Sequence, residues 1–182
     1  MLGERPKMSL GANMFAGLSY EICAAAWNVI IPSAIAANID GVTNKQAGTI
    51  VVLYPHTGDV AFMSRLNYNH PDAEKYDRIA VAKAVVSKKT GLPSRQVQQE
   101  APHLYLPGMT KWGGAVIRNG LVVAFSGVQA VYDEAIAWSM LAWVEAMCRN
   151  EMTRPGGVMA SDDSFLGDPT LPLFPSVRRD GA

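Results

Sequence analysis

Residues 113–127 read GGAVIRNGLVVAFSG, and this stretch decides the fold. Two mainly apolar runs, Gly113 to Arg118 and Leu121 to Ser126, flank the dipeptide Asn119-Gly120. Asn-Gly accepts positive φ at both central positions of a two-residue turn, which is the strongest short-range signal for a hairpin. The stretch therefore predicts two antiparallel strands, and a helix across these residues is excluded.

A similar unit precedes it along the chain. The run Thr49 to Tyr54 is β-branched and apolar, and residues 55–58, Pro-His-Thr-Gly, have turn composition. The alternation from Val60 to Leu66 predicts a returning strand. We expect a first hairpin with strands at 49–54 and 59–66.

Helical periodicity fills most of the remaining sequence. Apolar spacing predicts helices over 14–39, 73–90 and 131–149, with a kink or a division into two helices at Pro32. The stretch 94–112 has no clean period and is predicted to be a long loop, a frequent setting for ligand binding. The order α-β-β-α-β-β-α predicts an α+β fold with an antiparallel sheet.

Composition limits the function classes. The chain has 182 residues, 49% of them hydrophobic, and 16 basic residues balance 16 acidic ones. A duplex-binding surface normally has a basic excess, so we expect no nucleic-acid partner. The window 22–39 is too polar for a membrane span, and no signal-like segment is evident, so we expect no membrane partner and a cytoplasmic location. Cys23 and Cys148 are expected to be buried, reduced thiols.

Amino-acid composition divides the chain into three parts. We predict a leader at 1–13, a domain at 14–149 and a Pro/Gly-rich C-terminal arm at 150–182. The arm is too apolar for a solvated tail, so it should dock on its own domain or on a neighbouring subunit. The high apolar content also favours a homo-oligomer.

Four segments together carry a family resemblance. In order and spacing they resemble the GlcG/HbpS-like haem-binding (haem-degrading domain) family across roughly residues 14–148. The resemblance implies a profilin- or PAS-like antiparallel sheet, homo-oligomers and a small-molecule ligand, with haem as a possible cofactor. The segments are 50–66 (IVVLYPHTGDVAFMSRL), 79–89 (IAVAKAVVSKK), 113–127 and 133–137 (DEAIA).

Two histidines are the candidate catalytic or metal-ligating residues. His70 follows the second strand and His103 precedes the third, so both lie at the same end of the predicted sheet. Imidazole is suited to a haem iron and equally to proton transfer near neutral pH. The alternative is two unrelated surface histidines.

The other candidates would hold a ligand. Arg65 and Lys83 occupy family-matching basic positions, and an arginine can clamp a carboxylate with two hydrogen bonds. An ordinary salt bridge is the alternative. Aromatic and sulfur-containing side chains could form the wall of an apolar pocket, or simply pack in a core or interface, and paired glycines permit close approach of a ligand. These residues are Tyr68, Tyr105, Met109, Trp112, Gly113 and Gly114.

Three functions remain open at this point. The first is a protein that binds haem or a similar planar carboxylated molecule. The second is a cofactor-independent lyase or isomerase acting on a small aromatic acid in a catabolic pathway. In that enzyme His70 or His103 would be the general acid/base, and Arg65 would hold the carboxylate. The third is a structural or regulatory partner protein.

Overall fold

Four strands and four α-helices follow one another in the order that the sequence predicts, with one helix added. The computed structural model describes residues 18–153, so the leader and residues 154–182 of the arm lie outside the described part. The elements are α1 Tyr20–Ile39, β1 Thr49–Leu53, β2 Val60–Arg65, α2 Ala73–Thr90, α3 Ser94–Glu100, a 3-10 turn Pro102–Leu104, β3 Ala115–Arg118, β4 Leu121–Ser126 and α4 Ala130–Thr153.

The sheet is antiparallel throughout, and its strand order is β2-β1-β4-β3. Each hairpin supplies one inner strand, and β1 pairs with β4 from Thr49 opposite Ser126 to Leu53 opposite Val122. In the second hairpin Asn119 has φ 51° and Gly120 has φ 81°. Positive φ at both positions is the geometry of a type I′ turn, so the hairpin predicted from Asn-Gly is confirmed.

Side chains alternate between two cores because successive residues of a strand face opposite sides of the sheet. Ile50, Val52 and Phe125 belong to the core beneath α1 and α4. Val51 and Ala124 belong to the core beneath α2. All five are 0% exposed, which explains the strongly apolar strands. The sheet is therefore a middle layer between α2 on one face and the α1–α4 pair on the other.

Helix α1 is single and continuous through Pro32, so of the two predicted alternatives, a kink or a division into two helices, the division is wrong. By length and composition α1 could cross a membrane, a test that core helices of soluble proteins also pass. Its inward face packs in the core beneath α1 and α4. Its members in that core are Cys23, Ala26, Trp27 and Ile30, and Ala34 is buried as well.

The predicted loop 94–112 contains structure that the sequence did not indicate. Helix α3 spans Ser94–Glu100, and its buried residues are Ser94 and Val97. Because only one of these two is apolar, the sequence shows no apolar period here. The Ser94 hydroxyl accepts a hydrogen bond from the Ala115 backbone N–H at 2.9 Å, which ties α3 to the start of β3. The irregular segment is thereby shortened to residues 101–114.

Candidate functional site

The candidate residues gather at the end of the sheet where β2 and β4 finish and β1 and β3 begin. Arg65 is opposite Thr49, and Thr49 is opposite Ser126. The Phe125 N–H donates to the Gly114 carbonyl at 2.9 Å, which puts Gly113 beside Ser126 in the same row. Neighbouring strands are about 4.8 Å apart, so the two outer strands of this row are separated by roughly 14 Å.

Arg65 is held in a fixed orientation at one edge of the row. Its Nη2 lies 2.6 Å from Asp77 Oδ2, and its Nε lies 3.2 Å from both oxygens of the same carboxylate. The Thr49 hydroxyl donates to Asp77 Oδ1 at 2.6 Å. The hydrogen bond from Arg65 is the largest cause that lowers the pKa of Asp77 below its usual range. This arrangement is a partly exposed ion pair, in which the Arg65 and Asp77 side chains are 28% and 18% exposed.

A second group of polar side chains surrounds Tyr76, which is the residue before Asp77 on α2. Lys45 Nζ donates to the Tyr76 hydroxyl at 3.1 Å, and the His70 and Tyr76 ring centroids are 5.4 Å apart. The Asp72 N–H donates to His70 Nδ1 at 3.1 Å. We name the five residues Lys45, Arg65, His70, Tyr76 and Asp77 the β2-end cluster. It brings an amine, a guanidinium, an imidazole and a phenol together near one strand end.

The hydrogen bond to His70 sets the tautomer of its ring. Because Nδ1 accepts the Asp72 N–H, the proton of the neutral imidazole lies on Nε2. Nε2 is then a hydrogen-bond donor. A metal-ligating histidine shows the opposite pattern, in which the nitrogen that does not bind the metal donates its N–H. In this arrangement His70 is suited to donate a hydrogen bond to an anion.

Lys83 lies in the interior, between α2 and the start of α4. Its Nζ donates to Asp133 Oδ2 at 2.6 Å and to the Phe125 carbonyl at 3.1 Å, and the residue is 2% exposed. Burial lowers the pKa of Lys83 and raises that of Asp133, and the attraction between the two charges opposes both shifts. Asp133 Oδ1 also accepts the N–H groups of Gly127 and Val128. The ammonium group of Lys83 therefore ties α2 to α4.

Gly114 is a close neighbour of this buried pair. It has φ +120°, and a Cβ there would lie 2.7 Å from Asp133 Cβ and 2.9 Å from Lys83 Nζ. Its lack of a side chain is therefore accounted for by packing within the chain. Gly113 is different, because a Cβ there would lie 3.1 Å from Arg95 Cβ and its φ is ordinary.

Four further candidates lie on residues 102–112, which we name the aromatic loop: His103, Tyr105, Met109 and Trp112. Trp112 and Leu106 are 65% and 55% exposed, and His103 is exposed on the 3-10 turn. The Tyr105 hydroxyl, by contrast, is buried and has no hydrogen-bond partner within the described residues. Burial raises its pKa. The Leu106 N–H lies 3.4 Å from the Met109 sulfur.

Backbone packing separates the aromatic loop from the β2-end cluster. A Cβ on Gly127 would lie 2.2 Å from both the Ala47 carbonyl oxygen and Gly48 Cα. The segments that enter β1 and leave β4 are thus in direct contact in the middle of the row. The sequence placed His70 and His103 at the same end of the sheet, and the two residues follow or precede the two outer strands. His70 lies against Tyr76 and the Asp72 N–H, whereas His103 lies exposed on the 3-10 turn of the aromatic loop.

Sequence reasoning missed four residues at this end of the sheet: Lys45, Tyr76, Asp77 and Arg95. Tyr76 and Asp77 lie in the first turns of α2, the element that follows β2 along the chain. Side chains near the end of β2 could therefore have been looked for there. Lys45 and Arg95 carry no local signal, because the contacts that place them are distant in sequence. Tyr68, a predicted ligand contact, is 65% exposed, and its hydroxyl lies 3.0 Å from that of Ser64. Within residues 18–153, no three His, Cys, Asp or Glu side chains are grouped to hold a metal ion.

Neither a family model nor a curated protein matches this sequence. Solved structures do match. A double mutant of HbpS from Streptomyces reticuli has a TM-score of 0.52 at 21% identity, and the match covers 78% of this chain and 97% of HbpS. ORFY from Klebsiella pneumoniae has a TM-score of 0.50 at 16% identity, covering 79% and 99%. The Ybr137w protein has the same score and identity, covering 69% and 78%.

Identities this low show a shared fold, and a shared fold does not fix a function. The matched length is nearly the whole of HbpS and ORFY, so the likeness extends over the complete α-β-β-α-β-β-α unit. The resemblance to the GlcG/HbpS-like family that four sequence segments indicated is thus confirmed at the level of the fold.

Proposed function

We propose that this chain is a cytoplasmic small-molecule binding protein of the GlcG/HbpS type. Its ligand would be haem or a similar planar carboxylated molecule, bound on the aromatic loop. The observation that carries the proposal is the exposure of Leu106 and Trp112 on the loop that also holds the exposed imidazole of His103 and the buried Tyr105 hydroxyl, which has no hydrogen-bond partner within the described residues. Exposed apolar surface bordered by polar groups is typical of a binding site.

The two histidines differ in how well they fit a haem. When bound, haem supplies an iron atom that an imidazole nitrogen ligates. His70 does not fit this role as it lies, because the Asp72 N–H occupies Nδ1 and leaves the ring proton on Nε2. His103 fits better, since it is exposed on the 3-10 turn of the aromatic loop. We therefore assign the ligating role to His103.

A carboxylate of the ligand requires a cation near the same loop. Arg95 adjoins Gly113, its side chain is 38% exposed, and its nearest acidic partner, Glu134, is 3.9 Å away. Such a loosely paired guanidinium can donate two hydrogen bonds to a carboxylate. Arg65, which the sequence nominated, is already engaged by Asp77 through two of its nitrogens. Arg95 is thus the better candidate for a ligand on the aromatic loop.

The β2-end cluster favours a second function. There the N–H of His70 Nε2 and the guanidinium of Arg65 lie near one strand end, beside Tyr76 and Lys45. This set would suit a cofactor-independent lyase or isomerase acting on a small aromatic acid. Arg65 would hold the carboxylate through Nη1, and His70 would act as the general acid/base once its Nδ1 is released from the Asp72 N–H. Such a reaction would belong to the catabolism of aromatic compounds.

Titration of the purified protein with hemin tests the first proposal. We expect a Soret band distinct from that of free hemin, with a position that changes in His103→Ala and stays in the matched variant His70→Ala. Arg95→Gln should weaken binding about tenfold, as expected for the loss of a charge-assisted hydrogen bond. Absence of a protein-dependent Soret band would refute haem binding.

The enzyme proposal is tested on the same variants with opposite expectations. Turnover of an aromatic acid should fall about a hundredfold or more in His70→Ala and remain in His103→Ala. Arg65→Gln should raise KM more than it lowers kcat. Equal effects of the two histidine variants in both assays would place the site outside both groups.

We also propose that the chain forms homo-oligomers. The outer edge of β2 is unpaired by any described strand, and Val60 and Met63 on it are 48% and 45% exposed. An exposed strand edge is a template for pairing with a second chain. Light scattering at micromolar concentration should report a mass of at least two chains, and a monomer would contradict the proposal.

A further inference from the structure

A groove between α1 and α4 is separate from both candidate sites. It opens to solvent between the two helices and has a volume of about 180 Å³. No charged residue lines it. An apolar cavity of about 150 Å³ accommodates a benzene ring, so this groove is large enough for one phenyl or leucyl side chain. Its lining includes Ile30, Ala34, Ala37, Thr43, Ala135 and Ile136.

One polar atom in the lining lacks a partner. Thr43 is 5% exposed, and its hydroxyl is buried without a hydrogen bond to any described residue. Leaving such a group unsatisfied is unfavourable, because the hydroxyl has lost its hydrogen bonds to water. A peptide group laid along the groove would supply the missing partner. The groove thus offers an apolar socket together with one hydrogen-bonding atom.

The helices beside the groove present an uncharged outer surface. From residue 22 to residue 39 α1 has no charged residue, and α4 has none from residue 135 to residue 144. Val29, Ile39 and Trp143 on these helices are 43%, 76% and 44% exposed. Such a surface is suited to an apolar occupant.

The chain carries a matching segment beyond the described residues. Residues 164–174 read SFLGDPTLPLF and hold two phenylalanines, three leucines and a single charge. Ala135 lies 18 residues before the end of α4 at Thr153, which is about 27 Å along the helix. Phe165 follows Thr153 by 12 residues, which extend to about 40 Å. The segment can therefore turn back along α4 and reach the groove.

We propose that residues 164–174 dock in the α1–α4 groove of their own chain. One aromatic or leucine side chain fills the socket, and a backbone group bonds to the Thr43 hydroxyl. The segment covers apolar surface that α1 and α4 would otherwise expose, and it lies on the face of the sheet opposite α2. This occupant is independent of either proposed ligand site.

Chymotrypsin digestion of the full chain tests the proposal, because it cleaves after Phe165 and Leu166. Mass spectrometry would follow cleavage at these two bonds, with a synthetic peptide of residues 160–176 as the unprotected reference. We expect the chain to be cut at least tenfold more slowly than the peptide. Ala135→Trp, which fills the groove, should abolish that protection. The matched variant Ala146→Trp, exposed on α4 outside the groove, should retain it.

Circular dichroism would report whether Ala135→Trp keeps its fold. A second, smaller substitution tests the proposal without filling the groove. Thr43→Val removes only the hydroxyl and should speed cleavage about threefold or more, in the range expected for one lost hydrogen bond. Cleavage of the wild-type chain at the rate of the peptide would overturn the proposal, as would equal rates in the two tryptophan variants. Protection that rises with protein concentration would assign the groove to a second copy and also overturn docking within one chain.

Discussion

Lys83 Nζ and Asp133 Oδ2 lie 2.6 Å apart, with their side chains 2% and 4% exposed, at the point where α2, β4 and α4 meet. The Phe125 carbonyl and two backbone N–H groups supply further hydrogen bonds to this pair. A buried ion pair is weak evidence of added stability, but removing one partner leaves an uncompensated buried charge. The family-matching lysine is thereby explained as a structural tie.

Removing one partner of this pair should be costly. Lys83→Met leaves the Asp133 carboxylate buried without its cation, so we expect the free energy of unfolding to fall by about 3–5 kcal/mol. The double variant Lys83→Met, Asp133→Asn removes the stranded charge and should recover part of that loss. Urea denaturation of the three proteins measures both effects. A loss below 1 kcal/mol in Lys83→Met would show that the ammonium is dispensable.

Gly114 and Gly113 should respond differently to a methyl group. At Gly114 an alanine would need φ +120° and would place its Cβ 2.7–2.9 Å from three neighbouring atoms, so we expect a loss of about 3 kcal/mol or more. At Gly113 only Arg95 must shift, by a few tenths of an ångström, and the cost should stay below about 1 kcal/mol. Thermal unfolding of the two variants compares these costs. Equal melting temperatures would contradict the packing argument.

The ion pair between Arg65 and Asp77 should make stability depend on pH. The pKa of Asp77 is lowered in the folded chain, mainly by the hydrogen bond from Arg65, whereas an unfolded aspartate titrates near pH 3.9. Its contribution is therefore complete above that unfolded value and is lost as pH falls through the lower, folded one. Wild type should exceed Asp77→Asn by about 1 kcal/mol at pH 7, and by less at pH 3. Urea titrations at both pH values measure this difference, and a constant gap would contradict the assignment.

The sequence predicted the strands well because their signals are local. Asn119-Gly120 specifies its own turn, and Thr49 to Leu53 is buried along its whole length, as a continuous apolar run predicts. Helix α3 was missed because only one of its residues, Val97, is a buried apolar side chain. A single buried position gives no period, and only the contact of Ser94 with β3 makes the helix part of the domain.

The site was less predictable, since its contacts join residues that are distant in sequence. Arg65 and His70 were found from strand-end position, but Asp77, which engages Arg65, lies 12 residues away on another element. Lys45 is 31 residues from Tyr76. Spacing rules cover neighbours three or four residues apart on a helix, or opposite residues in a hairpin. A pairing between a strand end and a helix requires the three-dimensional fold.

Tyr105 provides a test in which stability and binding should change in opposite directions. Its hydroxyl is buried without a partner in the described residues, so Tyr105→Phe should leave the free energy of unfolding unchanged or raise it by up to about 1 kcal/mol. If the ligand of the aromatic loop supplies the missing partner, the same variant should bind hemin about threefold to tenfold more weakly, which is the worth of one neutral hydrogen bond.

Tyr68→Phe is the matched control, because that hydroxyl is already paired with Ser64 on an exposed side chain. It should change neither quantity by more than the error of the measurement. Denaturation without ligand and hemin titration on the same preparations give both values. Weaker binding with lower stability would mean that Tyr105 supports the loop structurally, and unchanged binding would place the ligand away from this hydroxyl.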